Sequence, residues 1–167
     1  AASFDRRPLI QIANSIGGPP MKLLHWRQLM KLGRIPHSNE SVAVEAIAGI
    51  ESFGAPEVEI IMISHRWLRP SLDRSTAHPD LLDNRKAKAI NEFSNWRRQW
   101  VRHTHGFLPE IFYWIDFACV DQANTSAAVP LLPIWVACCE RFLRIDTDGY
   151  DSRAWCRLEP LLSYVFS

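Results

Sequence analysis

The chain has 167 residues, of which 47% are apolar and 22% are charged, an ordinary globular composition for one domain with a substantial core. Its formal net charge of +1 gives no bulk attraction to nucleic acid or to an anionic membrane, and we expect neither as a partner. No apolar run reaches the roughly 18 residues that span a bilayer, and the N-terminus lacks the apolar core of a signal peptide, so we expect a soluble protein.

The first 56 residues predict a helical extension ahead of the main domain. Residues 1–20 end in Gly-Gly-Pro-Pro, a turn-forming cluster, and are expected to be irregular. Residues 21–32 carry apolar side chains at helical spacing, and Gly33 is placed to end that helix. A second helix is predicted over residues 42–53, with Ser38 or Ser41 as its cap.

The main domain, residues 57–167, opens with a nearly continuous apolar β-forming run over 58–64. Such a run predicts a central strand of a parallel sheet, covered by helices on both faces. It leads directly into His65, Arg66 and Trp67. These residues would lie at the carboxyl edge, where open α/β sheets bind their ligands. The long loop over 68–83 at the same edge is either functional or a tolerated insertion.

A long helix is predicted over 84–104, with Asp83 or Asn84 as its cap. Its second half is a basic stretch interleaved with two tryptophans, namely Trp96, Arg97, Arg98, Trp100, Arg102, His103 and His105. A basic aromatic surface and a helix that buries its tryptophans while it solvates its arginines both fit this pattern. We favour the second interpretation.

A second apolar strand is predicted over 111–117, a helix over 131–140 and a third strand over 142–146. Strands that alternate with helices predict an α/β domain with parallel neighbours and right-handed crossovers. Asp116 lies on the second strand and Asp121 just beyond it. An aspartate at a strand end can bind magnesium or a ribose hydroxyl, or it can cap the following loop.

The last predicted helix, over 153–166, has Trp155, Leu158, Leu162 and Val165 at helical spacing. Glu159 would lie one turn beyond Trp155, beside the apolar face. A carboxylate held against aromatic surface near a cleft suits acid/base chemistry or a contact with a sugar hydroxyl. The alternative is a solvated glutamate on the helix surface.

The four cysteines, Cys119, Cys138, Cys139 and Cys156, each lie inside an apolar segment, and none forms a Cys-x-x-Cys pair. This arrangement is typical of buried, reduced thiols in an intracellular protein. We therefore expect a cytoplasmic protein, although the sequence leaves a disulfide open.

Three segments carry a resemblance to a known family: Ile-Ser-His-Arg-Trp at 63–67, Tyr-Trp-Ile-Asp-Phe-Ala-Cys-Val-Asp-Gln at 113–122, and Tyr-Asp-Ser-Arg-Ala-Trp-Cys-Arg-Leu-Glu at 150–159. In this order they resemble the Toll/interleukin-1 receptor (TIR) domain. The middle segment also resembles the signature of the fungal heterokaryon-incompatibility (HET) domain, a relative of TIR. The resemblance covers about residues 58–167. It implies a flavodoxin-like three-layer sandwich with a parallel sheet, here with an N-terminal helical extension.

Many TIR domains cleave the bond between nicotinamide and ribose in NAD, and their essential glutamate follows a Trp-Cys pair by three residues. Glu159 matches that position. The resemblance therefore implies an NAD glycohydrolase, or an ADP-ribosyl cyclase-like enzyme, of immune, cell-death or toxin signalling, with NAD as the substrate and no metal. The alternative is a non-catalytic TIR/HET-like module that self-associates through its surfaces.

The expected NAD site joins Glu159, as the catalytic carboxylate, to a set of binding residues: Ser64, His65, Arg66, Trp67, Asp116, Asp121 and Trp155. The planar fork of Arg66 suits a pyrophosphate, and Trp67 suits stacking on a base or on nicotinamide. The alternative for Arg66 is a structural ion pair with Asp116 or Asp121.

Three features depart from the family pattern. Pro160 follows the glutamate where the family usually has leucine, and proline removes a helix hydrogen bond. The loop after the first strand is long, and it carries no clear version of the glycine-rich loop that follows the second strand in receptor TIR domains. The chain also stops at Ser167, before a fourth and a fifth strand, so either it is a fragment or the N-terminal extension supplies the missing cover.

Two other chemistries find less support. Ser64 and His65 suggest a hydrolase, but the sequence has no Gly-x-Ser-x-Gly elbow. His65, His78, His103 and His105 match no structural zinc spacing.

Overall fold

A computed structural model describes residues 5–54, 57–71, 76–145, 147 and 164. Within them, the strands are β1 (Lys22–His25), β2 (Val44–Glu45), β3 (Val58–His65), β4 (Glu110–Trp114) and β5 (Arg141–Ile145). The helices are α1 (Arg7–Ser15), α2 (Trp26–Leu32), α3 (Ala46–Phe53), α4 (Arg85–His105), α5 (Asp116–Cys119) and α6 (Leu132–Ala137). The five strands form one mixed sheet in the order β2-β1-β4-β3-β5, so the fold is α/β.

The centre of the sheet is parallel, as predicted. β3 pairs in parallel with β4, from Val58 opposite Glu110 to Met62 opposite Trp114, and on its other side in parallel with β5. Seven of its eight residues are buried, because neighbouring strands and helices cover it. The crossover from β3 to β4 contains α4, as the connection between parallel neighbours requires. The carboxyl ends of β3 and β4 therefore lie at the same edge.

The N-terminal part differs from the prediction. Residues 22–25 form β1, which pairs antiparallel with β4 and with β2, so the predicted helix over 21–32 is wrong in its first half. A short apolar run is compatible with either a strand or a helix. Here it forms a strand because it pairs with the edge of β4. The helix over 42–53 begins only at Ala46, because residues 44–45 pair with β1. The predicted irregular start is also wrong, since α1 occupies Arg7–Ser15.

Helices cover both faces of the sheet. Successive residues of β4 point to opposite sides: the Tyr113 hydroxyl lies 2.6 Å from Ser94 Oγ in α4, whereas the Trp114 ring packs 5.8 Å from that of Trp135 in α6. Phe112 packs against Phe53 of α3 on the side of Trp114. α2 contacts α4, and α1 contacts α3 and α6. One layer therefore holds α2 and α4, and the other holds α1, α3 and α6.

The burial pattern of α4 reverses the prediction. Trp96 and Trp100 are 58% and 40% exposed, whereas Arg97 is only 8% exposed. The cause is Glu59, a buried carboxylate on β3, which accepts two hydrogen bonds at 2.9 Å from the Arg97 guanidinium. An ion pair of this kind has to face the sheet. The tryptophans therefore lie beside the buried strip rather than within it, with the Trp100 ring under the Arg97 guanidinium, and both are partly exposed to solvent.

The remaining predicted elements have mixed outcomes. The second strand ends at Trp114 rather than at 117, because Asp116 opens the short helix α5. The helix predicted over 131–140 is present but shorter, and the third strand is confirmed as β5. The helix predicted over 153–166 lies outside the described residues, except for Tyr164, which is helical. Cys119, Cys138 and Cys139 are free thiols, as predicted, and Cys156 lies outside the described residues.

Among the residues that the structure describes, no helix is both long and apolar enough to cross a membrane.

Glu140 makes the stability of this fold depend on pH. Its carboxylate accepts a hydrogen bond from the Ile60 amide and lies 3.7 Å from Arg6 Nε. Burial raises the pKa of Glu140 to about 7, despite the opposing effects of the Ile60 amide and Arg6. Between the ordinary value of 4.5 and about 7, the unfolded chain releases this proton while the folded chain retains it. The contribution of Glu140 therefore falls as pH rises through that window.

We expect Glu140→Gln to remove this dependence. Glutamine keeps an acceptor for the Ile60 amide and cannot ionise, so the variant is expected to match the wild type near pH 4.5 and to exceed it by about 2–3 kcal/mol above pH 7. The measurement is urea unfolding of both proteins at several pH values. A constant difference between the two proteins across that range would contradict the assignment.

Candidate functional site

Three side chains from two strands meet at the carboxyl edge of the sheet. His65 ends β3, Trp67 follows it, and Asp116 follows β4. One Asp116 oxygen lies 3.0 Å from His65 Nε2, and the other accepts a hydrogen bond of 3.1 Å from the Trp67 indole. The meeting follows from the parallel pairing of β3 and β4, which brings both carboxyl ends to one edge.

A buried lysine stands behind the histidine. Lys86, in the first turn of α4, is 1% exposed, and its ammonium lies 3.4 Å from His65 Nδ1 and donates to the Arg66 carbonyl. An ammonium can only donate, so Nδ1 accepts and the Nε2 proton of His65 points at Asp116. Lys86, His65 and Asp116 thus form a chain of hydrogen bonds that runs from the interior to the surface.

Asp80 holds the first turn of α4 in place. It is fully buried, and its carboxylate accepts hydrogen bonds from the backbone amides of Leu81, Lys86 and Ala87. An acceptor at the amino end of a helix satisfies amides that have no partner within the helix. Asn84, at the N-cap position, makes no side-chain cap bond. Of the two predicted caps, Asp83 accepts a hydrogen bond from the Arg85 amide, while Asp80, farther back in the loop, accepts from Lys86 and Ala87 and so positions Lys86.

Asp116 is held as a carboxylate. Burial raises its pKa, but hydrogen bonds from His65, Trp67 and the Phe117 amide outweigh that effect, so the pKa of Asp116 lies below its ordinary value. Its side chain is nevertheless 32% exposed, whereas that of His65 is 1% exposed. Asp116 is thus the member of the hydrogen-bonded chain that a ligand can reach.

Two cavities meet at Asp116. The larger, about 330 Å³, is lined by Trp67, Pro70, Ser71, Ala77, Asp116, Phe117, Gln122 and Thr125. The smaller, about 110 Å³, is lined by Trp114, Asp116, Val120, Gln122, Thr125, Ala128, Val129, Leu132 and Trp135. Asp116, Gln122 and Thr125 line both cavities. The larger cavity has the size of a small-molecule site, roughly 300 Å³ or more, and aromatic rings and one carboxylate line it.

The other predicted site residues lie in different settings. Ser64 is fully buried. The oxygens of Asp116 accept from His65, Trp67 and the Phe117 amide. Asp121 is exposed and accepts from the Ala123 amide, so it caps the loop, which was the alternative considered for it. Arg66 is half-buried, and it directly precedes Trp67, which lines the larger cavity. Glu159 and Trp155 lie outside the described residues.

The sequence pattern missed three residues of this site. Lys86 and Asp80 are charged types that are almost never fully buried, so nothing in their spacing marks them. Gln122 donates to the carbonyls of Asp116 and Val120 and lies at both cavities. Gln122 ends the segment over 113–122 that carries the family resemblance, and this was the available signal for it. Among the described residues, no three His, Cys, Asp or Glu side chains are grouped as a metal site.

A third cavity, about 370 Å³, lies at the amino edge of the sheet and includes Glu59, Arg97, Glu140 and Arg141. Both Arg97 and Arg141 bind Glu59, so these charges are engaged with one another. The carboxyl edge therefore remains the better candidate for a ligand site.

Comparison of the chain with protein-family models, with characterised proteins and with solved structures finds no match.

Proposed function

We propose that this protein is an NAD glycohydrolase of TIR type, with a flavodoxin-like sandwich, that binds NAD at the carboxyl edge of β3 and β4. The observation that carries the proposal is the position of Asp116, a partly exposed carboxylate, at the junction of two cavities. A carboxylate fixed by neighbouring donors at this edge suits a ribose hydroxyl. The parallel order β4-β3-β5, with helices on both faces, supports the sandwich.

Hydrolysis of the bond between nicotinamide and ribose needs few protein side chains. Hydrolysis breaks the bond between ribose C1′ and the pyridinium nitrogen, the bonding pair leaves with neutral nicotinamide, and water adds to C1′ and releases a proton. A carboxylate near the ribose stabilises the developing positive charge. In this proposal Glu159 supplies that carboxylate, while Asp116 accepts a hydrogen bond from a ribose hydroxyl. The aromatic wall of Trp67 and Phe117 packs against a flat ring of the nucleotide.

The charge and shape of Asp116 provide the first test. We expect Asp116→Asn to raise the Michaelis constant for NAD about tenfold, the loss of one charge-assisted hydrogen bond. The measurement is release of nicotinamide over a range of NAD and protein concentrations, because assembly can be required for turnover. Asp121→Asn, the matched loop-capping aspartate, is expected to leave the constant unchanged.

A second variant separates binding from folding. Asp116 also bonds His65 and Trp67, so its replacement can lower the melting temperature. Thr125 lines both cavities, and Thr125→Phe is expected to fill them and raise the Michaelis constant while the hydrogen-bonded chain stays intact. Absence of nicotinamide release at every protein concentration, or unchanged NAD kinetics in both variants, would sink the proposal.

The second candidate function is a non-catalytic TIR/HET-like assembly module. One specific observation favours it: two neighbouring tryptophans of α4 are exposed to solvent. Single exposed apolar residues are common on protein surfaces, but a row of exposed aromatic residues is typical of an interaction surface. Free thiols at Cys119, Cys138 and Cys139 fit a cytoplasmic setting for either function.

A further inference from the structure

The smaller of the two cavities at Asp116 has the size of a single ring. Its volume is about 110 Å³, and it is lined by Trp114 and Trp135, whose ring centroids lie 5.8 Å apart with their planes inclined at 49°. Val120 and Leu132 add aliphatic surface. A cavity of roughly 150 Å³ holds a benzene molecule. The smaller cavity is therefore close to the size of one six-membered ring and too small for the two fused rings of a purine.

The charge at this cavity is negative. Among the described residues that line it, Asp116 is the one charged side chain, and His65 and Trp67 hold it as a carboxylate. Lys86 is separated from Asp116 by the His65 ring, and a second carboxylate, that of Asp80, binds the Lys86 backbone amide. The Asp116 carboxylate is therefore the charge that a ligand in the smaller cavity contacts.

Indole rings and a carboxylate together favour a cation. The face of an indole ring is negative and attracts a positive charge within about 6 Å of its centre, and a carboxylate adds to that attraction. A metal ion needs several oxygen ligands, whereas the described lining offers a single carboxylate. A flat organic cation, which spreads its charge over an apolar ring, matches both the aliphatic surface and the carboxylate.

We propose that the smaller cavity binds a six-membered aromatic ring that carries a positive charge. The identity of the ring rests on the proposed function: in oxidised NAD it is the nicotinamide ring, which enters beside Asp116 while the rest of the dinucleotide extends through the larger cavity. The same ring is uncharged in NADH, and so is free nicotinamide. The cavity therefore selects oxidised over reduced NAD, and it holds the cleaved ring more weakly than the ring of the substrate.

Two small compounds that differ in charge test the proposal without any turnover. Nicotinamide methylated on the ring nitrogen is a permanent cation, whereas nicotinamide methylated on the amide nitrogen is neutral and has nearly the same size. An NMR titration that observes the indole N–H signals gives a dissociation constant for each compound. We expect the cation to bind at least about tenfold more tightly than the neutral compound, with the largest changes in the signals of Trp114 and Trp135.

A series of charges at Val129 locates the bound cation. Val129 lines the smaller cavity and is 49% exposed, so a polar side chain is tolerated there. Relative to Val129→Gln, we expect Val129→Lys to weaken binding of the cation about threefold or more and Val129→Glu to strengthen it by a similar factor. The neutral compound is expected to bind all three variants equally, which also reports that the cavity is intact.

Leu82→Lys is the matched control for the change in net charge. Leu82 is 84% exposed and lines neither of the two cavities at Asp116. This variant is expected to bind the cation like the wild type, because its added charge is exposed to solvent and lies outside the site.

The whole dinucleotide extends the test. NADH is expected to bind at least about tenfold more weakly than oxidised NAD, because its ring has lost the charge. The proposal is overturned if the two methylated compounds bind equally, if binding of the cation in the Val129 variants does not follow their charge, or if NADH binds as tightly as NAD. Any of these results together with nicotinamide release would leave the NAD glycohydrolase in place. Selective binding of the cation without nicotinamide release would support the cation site and remove the glycohydrolase.

Discussion

Glu159→Gln is expected to lower the rate of nicotinamide release at least about a hundredfold, the usual effect of removing a positioned acid/base group. Glutamine keeps the size of the side chain and removes its charge, so the developing positive charge on the ribose loses its carboxylate. The measurement is kcat for nicotinamide release, together with a thermal melt that is expected to match the wild type.

A carboxylate elsewhere on the chain serves as the control. Asp83 is exposed in the loop before α4 and pairs with Arg85, and Asp83→Asn is expected to leave turnover unchanged. Full turnover in the Glu159→Gln protein would refute the catalytic assignment. That result would not decide whether Asp116 binds NAD, because the Michaelis constant of Asp116→Asn is measured separately.

Glu59→Ala is expected to destabilise the folded protein by roughly 3–5 kcal/mol, because it leaves a buried guanidinium without its counter-ion. Arg97 is 10% exposed at its side chain and is bound by Glu59 through two hydrogen bonds, and Arg141 binds the same carboxylate. Arg141, whose side chain is 49% exposed, can turn to solvent when Glu59 is removed, whereas Arg97 cannot. The free energy of unfolding in urea gives the measurement.

A double variant separates the charge from the packing. Glu59→Leu combined with Arg97→Leu removes both charges, and it is expected to recover most of the lost stability, since buried ion pairs are often replaced by apolar pairs at little cost. Glu92→Gln, an exposed glutamate on α4, is expected to change the free energy by less than about 0.5 kcal/mol. A loss below about 1 kcal/mol in Glu59→Ala would show that Arg97 finds another counter-ion.

The sequence predicts the parallel core well, because β3 and β4 are apolar on both faces and only a covered strand tolerates that pattern. It fails at β1, whose four residues are too short to have a period of their own. It also fails on α4, where hydrophobicity points to buried tryptophans. The buried side is set instead by Glu59, a residue on another element, and no pattern within α4 records that partner.

At the candidate site too, the sequence predicts some features and fails on others. The rule that ligands bind at the carboxyl edge places His65, Trp67 and Asp116 correctly relative to one another, since it depends only on strand direction. The rule says nothing about what stands behind them. Asp80 lies in the loop before α4, and it fixes the first turn of that helix and hence Lys86. A loop that lacks a repeating pattern cannot be placed from its sequence.

The antiparallel pairing of β1 with β4 has a consequence for the order in which the chain folds. Leu24 lies opposite Tyr113, far along the sequence, so the strand made early during synthesis finds its partner only after β3 and α4 have left the ribosome. Contacts that close so long a loop slow folding. Until β4 arrives, β1 exposes backbone groups that can pair with another chain. The edge of β1 that will meet β4 is therefore where we expect off-pathway pairing of the nascent chain to begin.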